Sequence, residues 1–190
     1  MTLPHTSSQT AGPYLHIGMT NSRSLARIAG PEARGEHIHL ECRVLDGDEA
    51  LVTDAMIEIW QANADGKYCH PEDLQQKLDD PACRGFGRLA TDGNGLCVFE
   101  TVIPGAVPGH DGNLQAPHMN VSVFARGLLK RLATRIYFAG NTANQKDAIL
   151  ALVPAERQDT LMAIQDASRP GWWSFTIQLS GENETVFFDI

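Results

Sequence analysis

Apolar and polar positions alternate along much of this chain with the period of two that marks a strand with one buried face. From His37, the run His37-Ile38-His39-Leu40-Glu41-Cys42-Arg43-Val44-Leu45 puts Ile38, Leu40, Cys42 and Val44 on one side, and Asp46-Gly47 then supplies a turn. Further runs rich in β-branched and aromatic residues follow at 51–52, 55–60, 96–103, 118–124, 132–138, 173–179 and 185–189. The run at 96–103 starts after Asp92-Gly93-Asn94-Gly95 and is closed by Pro104-Gly105. Two polar stretches, 63–88 and 106–117, read as long loops, which in a compact domain tend to be functional or interfacial. The stretch 144–166 reads as helical, split by Pro154 into two short helices. Strands separated by turns, without βαβ alternation, predict a mostly β fold: an antiparallel β-sandwich with long loops and a short helical segment near 144–166.

The first dozen residues, ending in Ser7-Ser8-Gln9-Thr10-Ala11-Gly12-Pro13, are polar and turn-rich, and Gly30-Pro31 breaks the irregular stretch at 19–36. Residues 1–36 are therefore expected to form an N-terminal arm and irregular lead-in, and 37–190 a single β domain. The 190 residues suit one domain, and 43% hydrophobic against 20% charged residues is enough to bury a core.

Charge narrows the range of partners. Fifteen Lys and Arg against 23 Asp and Glu give a net charge of −8, with no basic block. That argues against nucleic acid and anionic membrane surfaces, both polyanions. No apolar run approaches the ~18 residues of a membrane span, and Met1 to Ser8 lacks the basic and apolar regions of a signal peptide. The cytoplasm is the expected location, with Cys42, Cys69, Cys83 and Cys97 expected as reduced thiols.

Candidate chemistry is sparse. His37 and His39 project from one strand face, as two imidazoles on one metal would, or they are solvated side chains at a strand start. His118 and Asn120 share that spacing, but an amide is a poor transition-metal ligand. No GxSxG nucleophile elbow and no GxxxxGK[ST] phosphate loop is present. Tyr14 is either a packed aromatic or a substrate contact. Arg135, inside the apolar run Leu132-Ala133-Thr134-Arg135-Ile136-Tyr137-Phe138, needs a carboxylate, a partner or solvent, because an unpaired buried guanidinium is costly. Spacing alone leaves a structural ion pair and anion recognition equally open.

Several segments together resemble the intradiol ring-cleaving dioxygenases. They are Thr10-Ala11-Gly12-Pro13-Tyr14, Ile57-Glu58-Ile59-Trp60-Gln61-Ala62-Asn63-Ala64-Asp65-Gly66, Phe86-Gly87-Arg88, Ala116-Pro117-His118-Met119-Asn120-Val121, Phe124-Ala125-Arg126-Gly127, Arg135-Ile136-Tyr137-Phe138 and Glu184-Thr185-Val186-Phe187-Phe188. They occur in order over nearly the whole chain, and they are most similar to the family's non-iron α subunits. Catalytic members hold a non-haem Fe(III) with two tyrosinates and two histidines. By the resemblance, the histidine pair falls on His118 and Asn120, one tyrosine position on Val107 and the other on Gln75, while Tyr68 matches a tyrosine that is not a ligand. Three of the four ligand positions thus carry no ligand.

The resemblance therefore implies no catalytic and no metal-binding residue in this chain. Fe(III) would be held by an iron-bearing β subunit as partner, and the chain would be inactive alone. The implied reaction is O2-dependent opening of protocatechuate between its hydroxyl-bearing carbons, giving 3-carboxy-cis,cis-muconate. The implied substrate-binding residues are Thr10, Gly12, Pro13 and Tyr14 on the arm and Arg135 on its strand. Two alternatives remain open: a stand-alone aromatic-acid-binding β-sandwich without catalysis, and an enzyme with its own metal at His37 and His39.

Overall fold

A computed structural model describes residues 7, 9, 10, 12, 17–109 and 112–189. Among these residues ten strands form: β1 (His37–Leu45), β2 (Met56–Gln61), β3 (Phe86–Ala90), β4 (Leu96–Val102), β5 (Val107–Pro108), β6 (Leu114–Gln115), β7 (His118–Phe124), β8 (Leu132–Phe138), β9 (Met162–Gln165) and β10 (Trp172–Gln178). Eight of them make one sheet in the order β3-β2-β7-β8-β9-β10-β1-β4, and β5 pairs with β6 as a separate hairpin.

The sheet behaves as two halves whose inner faces share one core: β3-β2-β7-β8, antiparallel throughout, and β9-β10-β1-β4, in which β10 and β1 run parallel. Ile57 and Ile59 of β2, Met119, Val121 and Val123 of β7, and Ile136 and Phe138 of β8 meet Ile38, Leu40 and Val44 of β1, Phe99 of β4, and Phe175 and Ile177 of β10. Alternation dictates this: Leu40, Cys42 and Val44 are fully buried while their strand neighbours face outward. Phe138 and Trp173, from opposite halves, meet edge to face with ring centroids 5.2 Å apart. The predicted sandwich is the observed architecture, with parallel pairings where β1 meets β10 and β8 meets β9.

Three elements differ from the sequence expectation. Strand β3 begins within the stretch read as loop and runs two residues past it: Phe86 to Ala90 pair with Met56 to Trp60, an edge position the glycine-rich sequence concealed. The helical stretch forms three 3-10 helices, Thr142–Lys146, Leu150–Leu152 and Ala155–Leu161, and its end, Met162–Gln165, is β9. Local side-chain bonds explain the fragmentation: the Asn141 side chain accepts from Ala143 N at 3.0 Å and Asp147 accepts from Leu150 N at 2.8 Å, each starting a new turn. Finally, the run at 185–189 contributes only the bridge of Phe188 to Ala133. Upstream of β1, Ile28 is buried in the main core and the backbone of Arg27 bridges Glu100. Among the described residues no helix is long and apolar enough to cross a membrane. The four cysteines are free thiols, with Cys42 directly opposite Cys97 between β1 and β4.

Candidate functional site

The outer face of the β3-β2-β7-β8 half carries the candidate side chains of β2, β7 and β8. Because register aligns residues across strands, Phe86, Trp60, Asn120 and Arg135 form one row, and His118 faces Tyr137 in the next. The 63–85 loop and the β5–β6 hairpin rise beside this face and border an open hollow of about 810 Å³ lined by Trp60, Tyr68, His70, Gln75, Val107 and Pro108, with the acids Glu72 and Asp73 on its loop side.

The loop is held by its own polar side chains. Asn63 Oδ1 accepts from Asp65 N and Lys67 N at 3.0 and 2.9 Å, and its Nδ2 donates to Leu78 O at 3.0 Å. Asp73 accepts from Tyr68 N at 2.7 Å and from Gln75 N and Nε2 at 3.0 and 2.9 Å. Burial opposes the charge of Asp73, but these donors outweigh it and hold its carboxyl below the usual range. Lys77 Nζ joins loop to hairpin, donating to Gly66 O at 3.0 Å and Ala106 O at 2.8 Å. Under this junction the backbones pass so closely that a Cβ on Gly105 would stand 2.5 Å from Ala64 O and from Gly66 N. Tyr68 is thereby laid parallel over Trp60, with centroids 5.8 Å apart and planes 4° from parallel, and His70 meets Trp60 edge-on at 6.2 Å. Burial raises the Tyr68 phenol above its ordinary value, countered by the Asn120 side chain and the Arg135 charge.

Arg135 sits at the end of a buried relay. Its Nη1 donates to Gln115 Oε1 at 2.8 Å and to Tyr137 Oη at 3.3 Å. Tyr137 in turn donates to Asp147 Oδ1 at 3.0 Å. Asp147, 1% exposed, also accepts from Ala116 N, Ile149 N and Leu150 N at 2.7, 2.9 and 2.8 Å. Burial is the chief reason the Tyr137 phenol is raised, so it stays protonated and keeps its donor role. Arg135 makes no ion pair among the described residues. His118, buried beside it, has Nδ1 2.7 Å from Ala116 O; a carbonyl only accepts, so that nitrogen carries the proton. Burial first, and the Arg135 charge second, lower His118 to about 4, leaving it neutral near pH 7.

These residues do not fit the ferric ion of the catalytic family members. The positions matched to tyrosinate ligands hold Val107, which has no donor atom, and Gln75, a neutral amide whose Nε2 donates to Gly66 O and Asp73. The two phenols nearby, Tyr68 and Tyr137, are both shifted away from the phenolate that a hard ferric centre needs. Among the described residues no three His, Cys, Asp or Glu side chains converge on a common point. His37 and His39 are separately engaged, His37 Nε2 lying 2.8 Å from Ala33 O and His39 stacking on Trp172 at 4.6 Å.

Of the expected substrate-binding residues, Pro13 and Tyr14 lie outside the described residues. Thr10 Oγ1 accepts from Gly127 N at 2.9 Å, and Gly12 and Thr10 line a separate hollow at the β7–β8 turn with Phe124, Leu128 and Arg131. No hydrogen bond joins them to Arg135 among the described residues; that side chain occupies the outer face further along β8. The sequence reading did not single out Trp60, His70, Tyr137 or Asp147. Trp60 and Tyr137 alternate with core residues on their strands, and only register, invisible in a single sequence, puts them beside Asn120 and Arg135.

Comparison with known proteins agrees with this architecture. The dioxygenase family model matches residues 10–181. The protocatechuate 3,4-dioxygenase alpha chain of Pseudomonas putida is 42% identical over 98% of this chain and 97% of its own length. The protocatechuate 3,4-dioxygenase beta chain of Burkholderia cepacia is 33% identical over 96% of this chain and 78% of its own. Among solved structures, 3-chlorocatechol 1,2-dioxygenase of Rhodococcus opacus superimposes with a TM-score of 0.65 over 92% of this chain and 71% of its own, at 20% identity, a likeness of fold. The chain belongs to the intradiol ring-cleaving dioxygenase family.

Proposed function

We propose that this chain is the non-iron subunit of a protocatechuate 3,4-dioxygenase, completing the substrate pocket of an iron-bearing β subunit. One observation carries the reading: full-length similarity to alpha chains, on a site whose donor set does not suit iron. The assembled enzyme would insert both atoms of O2 into protocatechuate, cleaving the bond between its hydroxyl-bearing carbons to give 3-carboxy-cis,cis-muconate. Fe(III) held by the partner supplies the activation of catecholate and O2. This chain would contribute positioning. Arg135 is the cation available for the ring carboxylate, and Thr10, Gly12, Pro13 and Tyr14 would offer backbone and hydroxyl contacts from the arm.

The test is co-expression with an iron-bearing β chain, followed by iron content and protocatechuate-dependent O2 uptake of the complex and of each chain alone. One iron per pair and ring cleavage by the complex, with neither in this chain, is the expected result. Iron and cleavage from this chain by itself would overturn the reading, and a chain that binds aromatic acids but forms no active complex would make it a stand-alone binding module.

A further inference from the structure

We propose that Arg135 is a built-in replacement for the metal ion this chain does not hold: its guanidinium stands among the four positions matched to iron ligands, and its fixed charge keeps metal cations out. The inference rests on the reading that places those positions at His118, Asn120, Val107 and Gln75, and it adds what took the ion's place.

The four positions come from three parts of the fold, and Arg135 is tied to each part. Asn120 is its register partner across β7 and β8, and His118 faces Tyr137 in the adjoining row, so both histidine positions lie beside the base of the Arg135 side chain. Across the site, Nη1 donates to Gln115 Oε1 at 2.8 Å, and Gln115 is the strand partner of Val107 in the β5–β6 hairpin. The guanidinium thus reaches from the sheet to the strand pair that carries one tyrosinate position. The other position belongs to the 63–85 loop. Gln75 Nε2 and Tyr68 N both donate to Asp73 Oδ2, at 2.9 and 2.7 Å, and the Tyr68 side chain meets Asn120 and lies within reach of the Arg135 charge.

Losing ligands explains weak binding; the charge explains exclusion. One good metal donor is left in the set. His118 Nδ1 carries its proton toward Ala116 O, and Nε2, the nitrogen a metal would take, makes no hydrogen bond among the described residues. A cation approaching Nε2 meets the guanidinium, which keeps its proton at any pH the fold tolerates. In a half-buried site water screens that repulsion poorly. No carboxylate cancels it either. Asp147 is held one hydrogen bond away, on Tyr137, and Arg135 has no ion pair among the described residues. The oxygens turned on Arg135, Gln115 Oε1 and Tyr137 Oη, are neutral. They brace the charge and leave it in place. The guanidinium also does mechanically what a bound ion does, since one nitrogen, Nη1, links β8 to the hairpin. Nε and Nη2 make no protein hydrogen bond among the described residues, so the role is compatible with an anion bound on that edge.

Cobalt(II) binding to the full chain tests the proposal, read by titration calorimetry and by the visible absorption of the ion in nitrogen coordination. The unmodified chain sets the background from other imidazoles such as His37 and His39. Asn120→His restores the second histidine position; with Arg135 kept, it should bind no more cobalt than that background. Asn120→His combined with Arg135→Gln should take up one additional ion per chain, at least tenfold more tightly than the background sites. Asn120→His combined with Arg135→Lys keeps the charge without the planar fork and should exclude cobalt as arginine does. Arg135→Met is the second neutral replacement, used if circular dichroism shows that the Gln variant does not fold. An additional ion in Asn120→His alone, or none with a folded neutral replacement, would overturn the proposal. Cobalt admitted equally by the Lys and the neutral variants would make the barrier one of shape and overturn it as well. No partner chain enters these measurements. Failure here leaves the subunit reading standing, and an inactive two-chain complex leaves the exclusion of metal standing.

Discussion

Two residues that share a corner of the outer face, Arg135 and His118, obey opposite electrostatic demands. Arg135 keeps its charge and offers it outward; His118, walled in next to that charge, is held neutral. A depressed imidazole has a clear linkage consequence. Above the ordinary value of about 6.5 neither folded nor unfolded His118 carries a proton, and stability is full. As pH falls from there toward about 4 only the unfolded chain takes up the proton, so stability declines across that window and levels off below it. Converted at about 1.4 kcal/mol per pH unit, the full loss is about 3.5 kcal/mol. His118→Gln, which keeps a donor for Ala116 O, should lack this component. Urea unfolding at pH 7.0 and 4.5 should show the wild type losing about 2.4 kcal/mol more than the variant; parallel losses would refute it. For Arg135 the prediction concerns substrate. In the assembled enzyme Arg135→Ala should raise KM for protocatechuate about tenfold or more with a smaller change in kcat, as removal of a charge-assisted carboxylate contact requires. Unchanged steady-state kinetics would remove Arg135 from the substrate's surroundings.

At the scale of elements, the hollow depends on a seam where the 63–85 loop crosses the segment entering β5. The seam is almost all backbone: Gly105 N donates to Asn63 O at 2.9 Å, and Lys77 ties Gly66 O to Ala106 O. Gly105→Ala would force a methyl into two backbone atoms that cannot rotate aside, at a cost of about 2 kcal/mol. Thermal unfolding should show Tm lowered by about 4–8 °C. Gly93→Ala, whose added methyl meets nothing within 4 Å, should leave Tm within about 1 °C and serves as the comparison. An equal effect at both positions would mean that the seam is not tight. The sequence revealed strands such as β7 and β8 to the residue because their inner faces, Met119, Val121 and Val123 on one and Leu132, Thr134, Ile136 and Phe138 on the other, are apolar or β-branched at every position. It concealed β3, whose Phe86-Gly87-Arg88 reads as loop, because an edge strand is defined by its neighbour rather than by its own pattern. The helical stretch was visible only as helical character. Its division depended on whether Asn141 and Asp147 would bond locally, which composition does not encode. The site was half legible for the same reason. Arg135 stood out as a cation in an apolar run, whereas Trp60 and Tyr137 gained significance only from register, and Asp147 only from the fold that brings it beneath Tyr137.

For the molecule as a whole, a net charge of −8 repels the carboxylated substrate proposed for it, so recognition must be local and short-ranged. The residues proposed for such recognition are held unevenly. Arg135 is built into a sheet and braced by a buried relay, while the arm touches the body at Thr10 Oγ1, where it accepts from the exposed turn at Gly127. A single exposed hydrogen bond contributes on the order of 1 kcal/mol or less to folding. On the proposed reading, residues 1–12, which include Thr10 and Gly12 of the four arm positions expected to face substrate, act mainly in the complex. Deleting residues 1–12 should therefore leave the denaturant midpoint of this chain almost unchanged, with stability within about 1 kcal/mol. In the assembled enzyme the same deletion should lower kcat/KM for protocatechuate at least tenfold, because contacts that orient a substrate act on the transition state as well as on binding. The two measurements separate the possibilities. Loss of several kcal/mol would make the arm a structural strap, and full activity after deletion would remove Thr10 and Gly12 from the substrate pocket.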